Sequence, residues 1–187
     1  MEEDSSIENK TKYLFEIIKR YDTYIGSTNT KCTIVMSYCA AVIGFIMLLL
    51  NRIISPDAAP VFLVFAGIFS IIVIASSIVC MWIAMSVIFP VTFSDPKKYR
   101  GESLIFFGDV CSASKDKEEY FAKIKETSET AFCSDLAGQV YSMSKIVSEK
   151  FQKIKILSLT LLYLNFIPAA ILLIGCAAQI TFKSDAF

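Results

Sequence analysis

The sequence predicts an all-α integral membrane protein, with three transmembrane helices and a small helical cytosolic bundle, on three observations. The 187 residues are 55% hydrophobic and only 19% charged, with a mean hydropathy of +0.56, too apolar for an ordinary soluble domain. Residues 32–51, 58–94 and 156–182 contain no Asp, Glu, Lys or Arg, and each run is long enough to cross a hydrocarbon core of about 30 Å. Basic residues are segregated: five Lys or Arg precede residue 32 and eleven lie in 95–155, against Arg52 and Lys183 elsewhere. That bias puts the N-terminus and 95–155 in the cytosol, and the short turn and C-terminus outside. Three crossings satisfy both statements.

In chain order, 1–31 is a cytosolic N-terminal segment. Residues 1–9 are polar and acidic, which is no signal peptide. From Lys10 the pattern becomes an amphipathic helix, with Leu14, Ile17, Ile18, Tyr21 and Ile25 on one face. We expect this face to pack on another helix of the bundle rather than lie on headgroups. The run 26–30, Gly-Ser-Thr-Asn-Thr, is a place for the helix to loosen or kink. The first span is 32–51, an external turn covers 52–60, and 61–89 forms one long, tilted span ended by Pro90. Trp82 is too central for an aromatic belt and is expected to pack between helices.

Residues 90–155 form the cytosolic sensor segment. A basic turn at 95–100 leads to Leu104-Ile105-Phe106-Phe107, either extended or a single helical turn. A polar loop over 112–117 follows, then a helix over 118–129. Phe132, Leu136, Val140, Met143, Val147, Phe151 and Ile154 recur at steps of three and four, one apolar seam close to the heptad period. Ser128 or Ser134 is a candidate cap. No proline separates this seam from the third span, 156–180, so one rod is expected to pass from water into lipid. Residues 181–187 are an external tail.

Composition narrows the chemistry. Without His, imidazole acid–base catalysis and His-ligated metals are excluded. The six Cys form no CxxC pair and those in the spans are expected as small buried hydrophobes. No nucleotide-loop, hydrolase-elbow or zinc-protease motif is present, so no enzyme is expected, and neither is a cofactor, a metal or a nucleic-acid partner. The spans carry no ionisable group of the kind carriers and pumps use. Asn165, near Pro168, is expected to kink the third span or bond between helices. In the aqueous segment, Lys97, Lys98, Arg100, Lys123, Lys125, Lys145 and Lys150 accompany Phe106, Phe107, Tyr120 and Tyr141. Cations for phosphate beside aromatic faces for a base would suit a nucleotide; they would equally suit anionic lipid at a membrane surface.

Three patterns, in order between the spans, add to this: Asn29-Thr30-Lys31-Cys32; Leu104-Ile105-Phe106-Phe107-Gly108-Asp109-Val110; and the run from Asp135 through Gln139, Tyr141 and Lys145 to Lys150-Phe151. The arrangement, over about residues 10–180, resembles the transmembrane effectors of Pycsar bacterial antiphage systems. It departs at Thr28-Asn29, where the family commonly has an acid. The resemblance implies a two-gene defence. A pyrimidine nucleotide cyclase makes cyclic UMP or cyclic CMP on infection, and the effector senses it and damages the inner membrane, an abortive infection. It also implies ligand contacts at Phe107, Gly108, Asp109, Asp135, Gln139, Tyr141, Lys145 and Lys150. A homo-oligomer is expected, because three charge-free spans make no obvious pore alone. A ligand-independent, holin-like pore and a membrane scaffold that recruits a partner are the alternatives.

Overall fold

The computed structural model describes residues 2–53, 59–89 and 103–184. They form α1 (Glu2–Ile53), α2 (Pro60–Ile88), α3 (Phe107–Ala113), α4 (Lys117–Glu126), α5 (Glu129–Thr160), a π-helical segment (Leu161–Phe166) and α6 (Ile167–Ser184). No strand occurs among the described residues. Three helical stretches, Ser6–Asn51, Pro60–Ile88 and Glu129–Gln179, are long and apolar enough to cross a membrane. The protein is an all-α membrane protein. Most of the 52–60 turn, all of 95–100 and residues 185–187 lie outside the described residues.

Two compact units divide the chain. One comprises Met1–Ser27 and Pro90–Lys150, the other Thr28–Phe89 and Phe151–Phe187. In the first, Ile7, Leu14, Ile18, Tyr21 and Ile25 are the partly buried apolar positions of α1, spaced for one helix face. On α5, Leu136 is fully buried. Ser112 lies in α3, so the loop shrinks to 114–116 and α4 starts at Lys117. Asp116 is the reason: its carboxylate accepts the Glu119 backbone N–H at 2.8 Å, an N-cap that fixes where the helix begins. Ser128, rather than Ser134, caps α5 by accepting from the Ala131 N–H at 3.2 Å.

Residues 26–30 do not interrupt α1. Hydroxyl residues beside them bond back to their own helix, Thr23 to the Lys19 carbonyl at 2.9 Å and Thr33 to that of Asn29 at 3.1 Å. Such bonds let Ser and Thr sit in a helix with their polar groups satisfied.

The membrane-capable unit has two apolar cores. Cys32, Cys39, Cys80, Ala84, Val87 and Leu157 form one; Ile46, Ala66, Val73, Leu172 and Cys176 form the other. The four Cys of these cores are buried and form no disulfide. Pro60 opens α2 at its first turn, where its missing N–H costs nothing. Phe89, the residue before Pro90, is extended with φ −50° and ψ 131°, as the following ring requires. On α2 the buried positions Ala66, Ser70, Val73, Ser77, Cys80, Ala84 and Val87 step by four and three, with Ser76 buried beside Ser77. Trp82 falls on the other side and is 79% exposed. The expectation that it packs between helices is therefore corrected: two residues past Cys80 is a rotation of about 200°, which turns the indole outward.

The third crossing is not uniform. From Leu161 to Phe166 the backbone is π-helical, and the Ile167 N–H donates to the Leu162 carbonyl, five residues back. Pro168 follows directly. It has no N–H for residue 164, and its ring crowds that carbonyl. The widened turn takes up this mismatch. Gly175 lets α6 come close to α2, since a Cβ there would lie 2.7 Å from Phe65 Cε1.

Candidate functional site

The first unit is built around one hydroxyl. Ser103 is 6% exposed and stands just ahead of the corner that starts α3. Its Oγ–H donates to Asp135 Oδ2 at 3.1 Å. The same oxygen accepts the backbone N–H of Phe106 at 3.0 Å and of Ile105 at 3.2 Å. It also accepts Gln139 Nε2–H at 3.1 Å. Asp135 Oδ2 takes a second donor, the Leu104 N–H, at 2.9 Å. A carboxylate accepting from a hydroxyl and an amide makes charge-assisted bonds, so α5 grips the segment 103–106 by its backbone. From α4, the Tyr120 hydroxyl donates to the Leu104 carbonyl at 2.8 Å.

The corner then closes on itself. The Phe106 carbonyl accepts the N–H groups of Asp109 and Val110, both at 3.0 Å. The Phe106 ring lies over Gly108, where a Cβ would be 2.7 Å from Phe106 Cε1. Glycine is needed at that position for contact, not for backbone angle. At the far end of α3, the Lys123 ammonium donates to the Ala113 carbonyl and sits 3.3 Å from Glu119 Oε1, a cation at a helix C-terminus. Glu119 is held below the usual carboxylate range, first by the Lys115 backbone N–H and then by Lys123.

The eight residues implied by the family resemblance fall into separate places. Asp135 and Gln139, one turn apart on α5, meet at Ser103, and Gly108 and Asp109 belong to the corner that Ser103 organises. Phe107 is 67% exposed, with its ring 4.8 Å from that of Phe106. Tyr141 is 54% exposed and carries Lys145 Nζ 4.6 Å above its ring, a cation–π pair. At about 100° per residue, Tyr141 and Lys145 lie on a different face of α5 from Asp135 and Gln139. The fold therefore does not bring the two sets together within one protomer's helix. Lys150 is buried at 6% exposure.

Sequence reasoning missed Ser103 altogether, and missed the bonds that Leu104 and Tyr120 make. Ser103 had a signal: a Ser just ahead of an apolar run bonds backbone N–H groups two and three residues on, a local turn of the kind Ser favours. Tyr120 reads in the sequence as an aromatic face for a base, and its hydroxyl gives no sign there of a carbonyl 16 residues away. No group of three His, Cys, Asp or Glu that could hold a metal gathers among the described residues. What the site offers is an aromatic corner fixed to α5, an exposed aromatic ring at Phe107, and a separate exposed ring carrying a cation.

Comparison with protein families matches residues 13–178, most of the chain, to PycTM, described as the Pycsar effector protein domain. Comparison with curated proteins and with solved structures finds no match.

Proposed function

Because the chain belongs to the Pycsar effector family, we propose that this antiphage membrane effector senses a cyclic pyrimidine mononucleotide, cyclic UMP or cyclic CMP. It then impairs the inner membrane, and the infected cell dies before phage mature. The signal comes from a pyrimidine nucleotide cyclase. The effector catalyses nothing. The observation that carries the reading is the Asp135–Ser103 linkage: it ties the corner at 103–109 to α5, and the helical stretch Glu129–Gln179, which contains α5, is long and apolar enough to enter lipid. Ordering at the corner has a continuous helix along which to act. A nucleotide shifts such an equilibrium only by its differential affinity for the two states.

The side chains divide by role. Phe107, Asp109, Tyr141 and Lys145 contact the ligand: rings stack on the base, the ammonium meets the phosphate, and the carboxylate accepts from a base or ribose donor. Gly108, Asp135, Gln139 and Lys150 position them. A homo-oligomer lets the Tyr141–Lys145 face of one protomer complete the Phe107–Asp109 corner of another. The distribution of basic residues supports a cytosolic N-terminus and sensor segment and an external C-terminus in the bacterial inner membrane.

Calorimetry of the full chain with cyclic UMP and cyclic CMP, beside dye leakage from vesicles holding the protein, tests this. Heat with one of them, and leakage only in its presence, is expected. Leakage with no heat from either nucleotide would replace this reading with a ligand-independent pore, and neither heat nor leakage with a scaffold. Lys145→Glu is expected to abolish both signals. Unchanged binding in that variant would remove Lys145 from the site.

A further inference from the structure

Polar side chains of the membrane-spanning unit converge on one residue. Asn165 is fully buried. Its amide nitrogen donates to Ser77 Oγ at 2.7 Å, to Ser76 Oγ at 3.0 Å and to the Val73 carbonyl at 3.2 Å, all on α2. With two hydrogens for three acceptors, one bond is shared. Its Oδ1 accepts the hydroxyl of Tyr38 on α1 at 3.1 Å, and the Tyr38 ring stacks on Phe166 at 4.9 Å. One side chain thus joins three helices.

Two further observations concern the same place. Ser70 lies on the same buried face of α2 and is 2% exposed. Its hydroxyl has no hydrogen-bond partner, a costly arrangement in an apolar interior. Other hydroxyls of the unit behave differently: Ser37 and Ser86 bond carbonyls of their own helices. Asn165 also belongs to the π-helical segment just before Pro168, the kind of backbone at which helices bend.

We propose that Asn165 is a clasp holding the three spans closed, and that the α2 face it bonds at Ser76 and Ser77, continued two turns along by Ser70, is the surface that meets water and small ions when the clasp releases. Water would give the Ser70 hydroxyl the partner that the closed packing denies it. The inference rests on the membrane-impairing activity proposed above, and extends it to the residues that carry the leak. These four contacts, one of them shared, count as three to four interhelical bonds of ordinary strength in a membrane and bias the closed state by roughly twentyfold to fiftyfold.

The test is Asn165→Leu in the full chain, reconstituted in phosphatidylethanolamine–phosphatidylglycerol vesicles and assayed for dye leakage with no nucleotide. A rise of roughly tenfold to fiftyfold over the unaltered protein is expected. Tyr38→Phe and Ser77→Ala each remove one bond, should rise less, and stand in if Asn165→Leu fails to insert. In a Cys111→Ser, Cys133→Ser background the remaining four thiols are buried. There, a membrane-impermeant maleimide should label Cys80, one turn from Ser76 and Ser77, in leaking vesicles alone. The clasp is overturned if the variants insert and stay tight while the unaltered protein leaks with cyclic UMP or cyclic CMP. The water-facing surface is overturned if vesicles leak and Cys80 stays unlabelled. Nucleotide-free leakage through Asn165→Leu, with an unaltered protein that no nucleotide opens, would uphold the clasp and sink the sensing instead.

Discussion

Ser103→Ala deletes the centre of the first unit while leaving every backbone atom in place. It removes one donor bond to the Asp135 carboxylate and three accepted bonds, from Ile105, Phe106 and Gln139. A bond to a charged group contributes about 1.5–3 kcal/mol and a neutral one about 1 kcal/mol. Three donors cannot all bond fully to one oxygen, and Asp135 keeps the Leu104 N–H. The net loss is then about 3 kcal/mol. That corresponds to roughly a hundredfold in the opening equilibrium of the 103–109 corner. Amide hydrogen exchange reads it directly: the Ile105 and Phe106 amides should exchange roughly a hundred times faster, with α2 amides unchanged. Ser103→Thr keeps the oxygen and should recover most of the protection. If Ser103→Ala exchanges within about threefold of the unaltered protein, the hub contributes little and the corner is held by packing instead.

Other outcomes follow from the same geometry. Gly108→Ala drives a methyl toward Phe106, displaces the ring, and should cost about 1–2 kcal/mol of corner stability, read by the same exchange at Asp109 and Val110. Leu136→Ala empties a fully buried position and should cost about 3 kcal/mol, seen as a lower melting temperature of the first unit. Glu119 has a lowered pKa in the folded state, so its contribution is present above its ordinary value of 4.5 and is lost as pH falls through the lowered one. An NMR titration of its carboxyl should show that depressed midpoint, and Lys123→Met should move it back up.

What the sequence disclosed, and what it withheld, follows from how far each interaction reaches along the chain. The three crossings were visible because a charge-free apolar run of 20 or more residues is more than a water-soluble helix can bury, and it matches the depth of a bilayer. Asp135 and Gln139 were picked out by the family resemblance alone. Their purpose was not visible, because the hydroxyl they hold is 32 and 36 residues away and only the folded chain puts it there. Trp82 is misleading because depth in the span suggests burial, whereas the phase of Cys80 and Ala84 fixes its direction outward. Asn165 was recognisable as an oddity in an apolar run, yet nothing local told of three separate partners on α2. The π-helical turn was equally hidden, since Pro168 announces a bend and not the form the bend takes.

That turn has a consequence for chain length. A π turn contains one residue more than the α turn it replaces. The six residues 161–166 therefore turn the chain about as far as five α-helical residues at about 100° each. Deleting one of them would restore ordinary helix and leave α6 in phase, with Leu172 and Cys176 still facing the core they share with Ala66 and Val73. Deleting a residue early in α6 instead, with no wide turn to absorb it, would rotate everything beyond it by about 100°. The crossing can thus lose a codon at the wide turn without re-aiming the helix that follows.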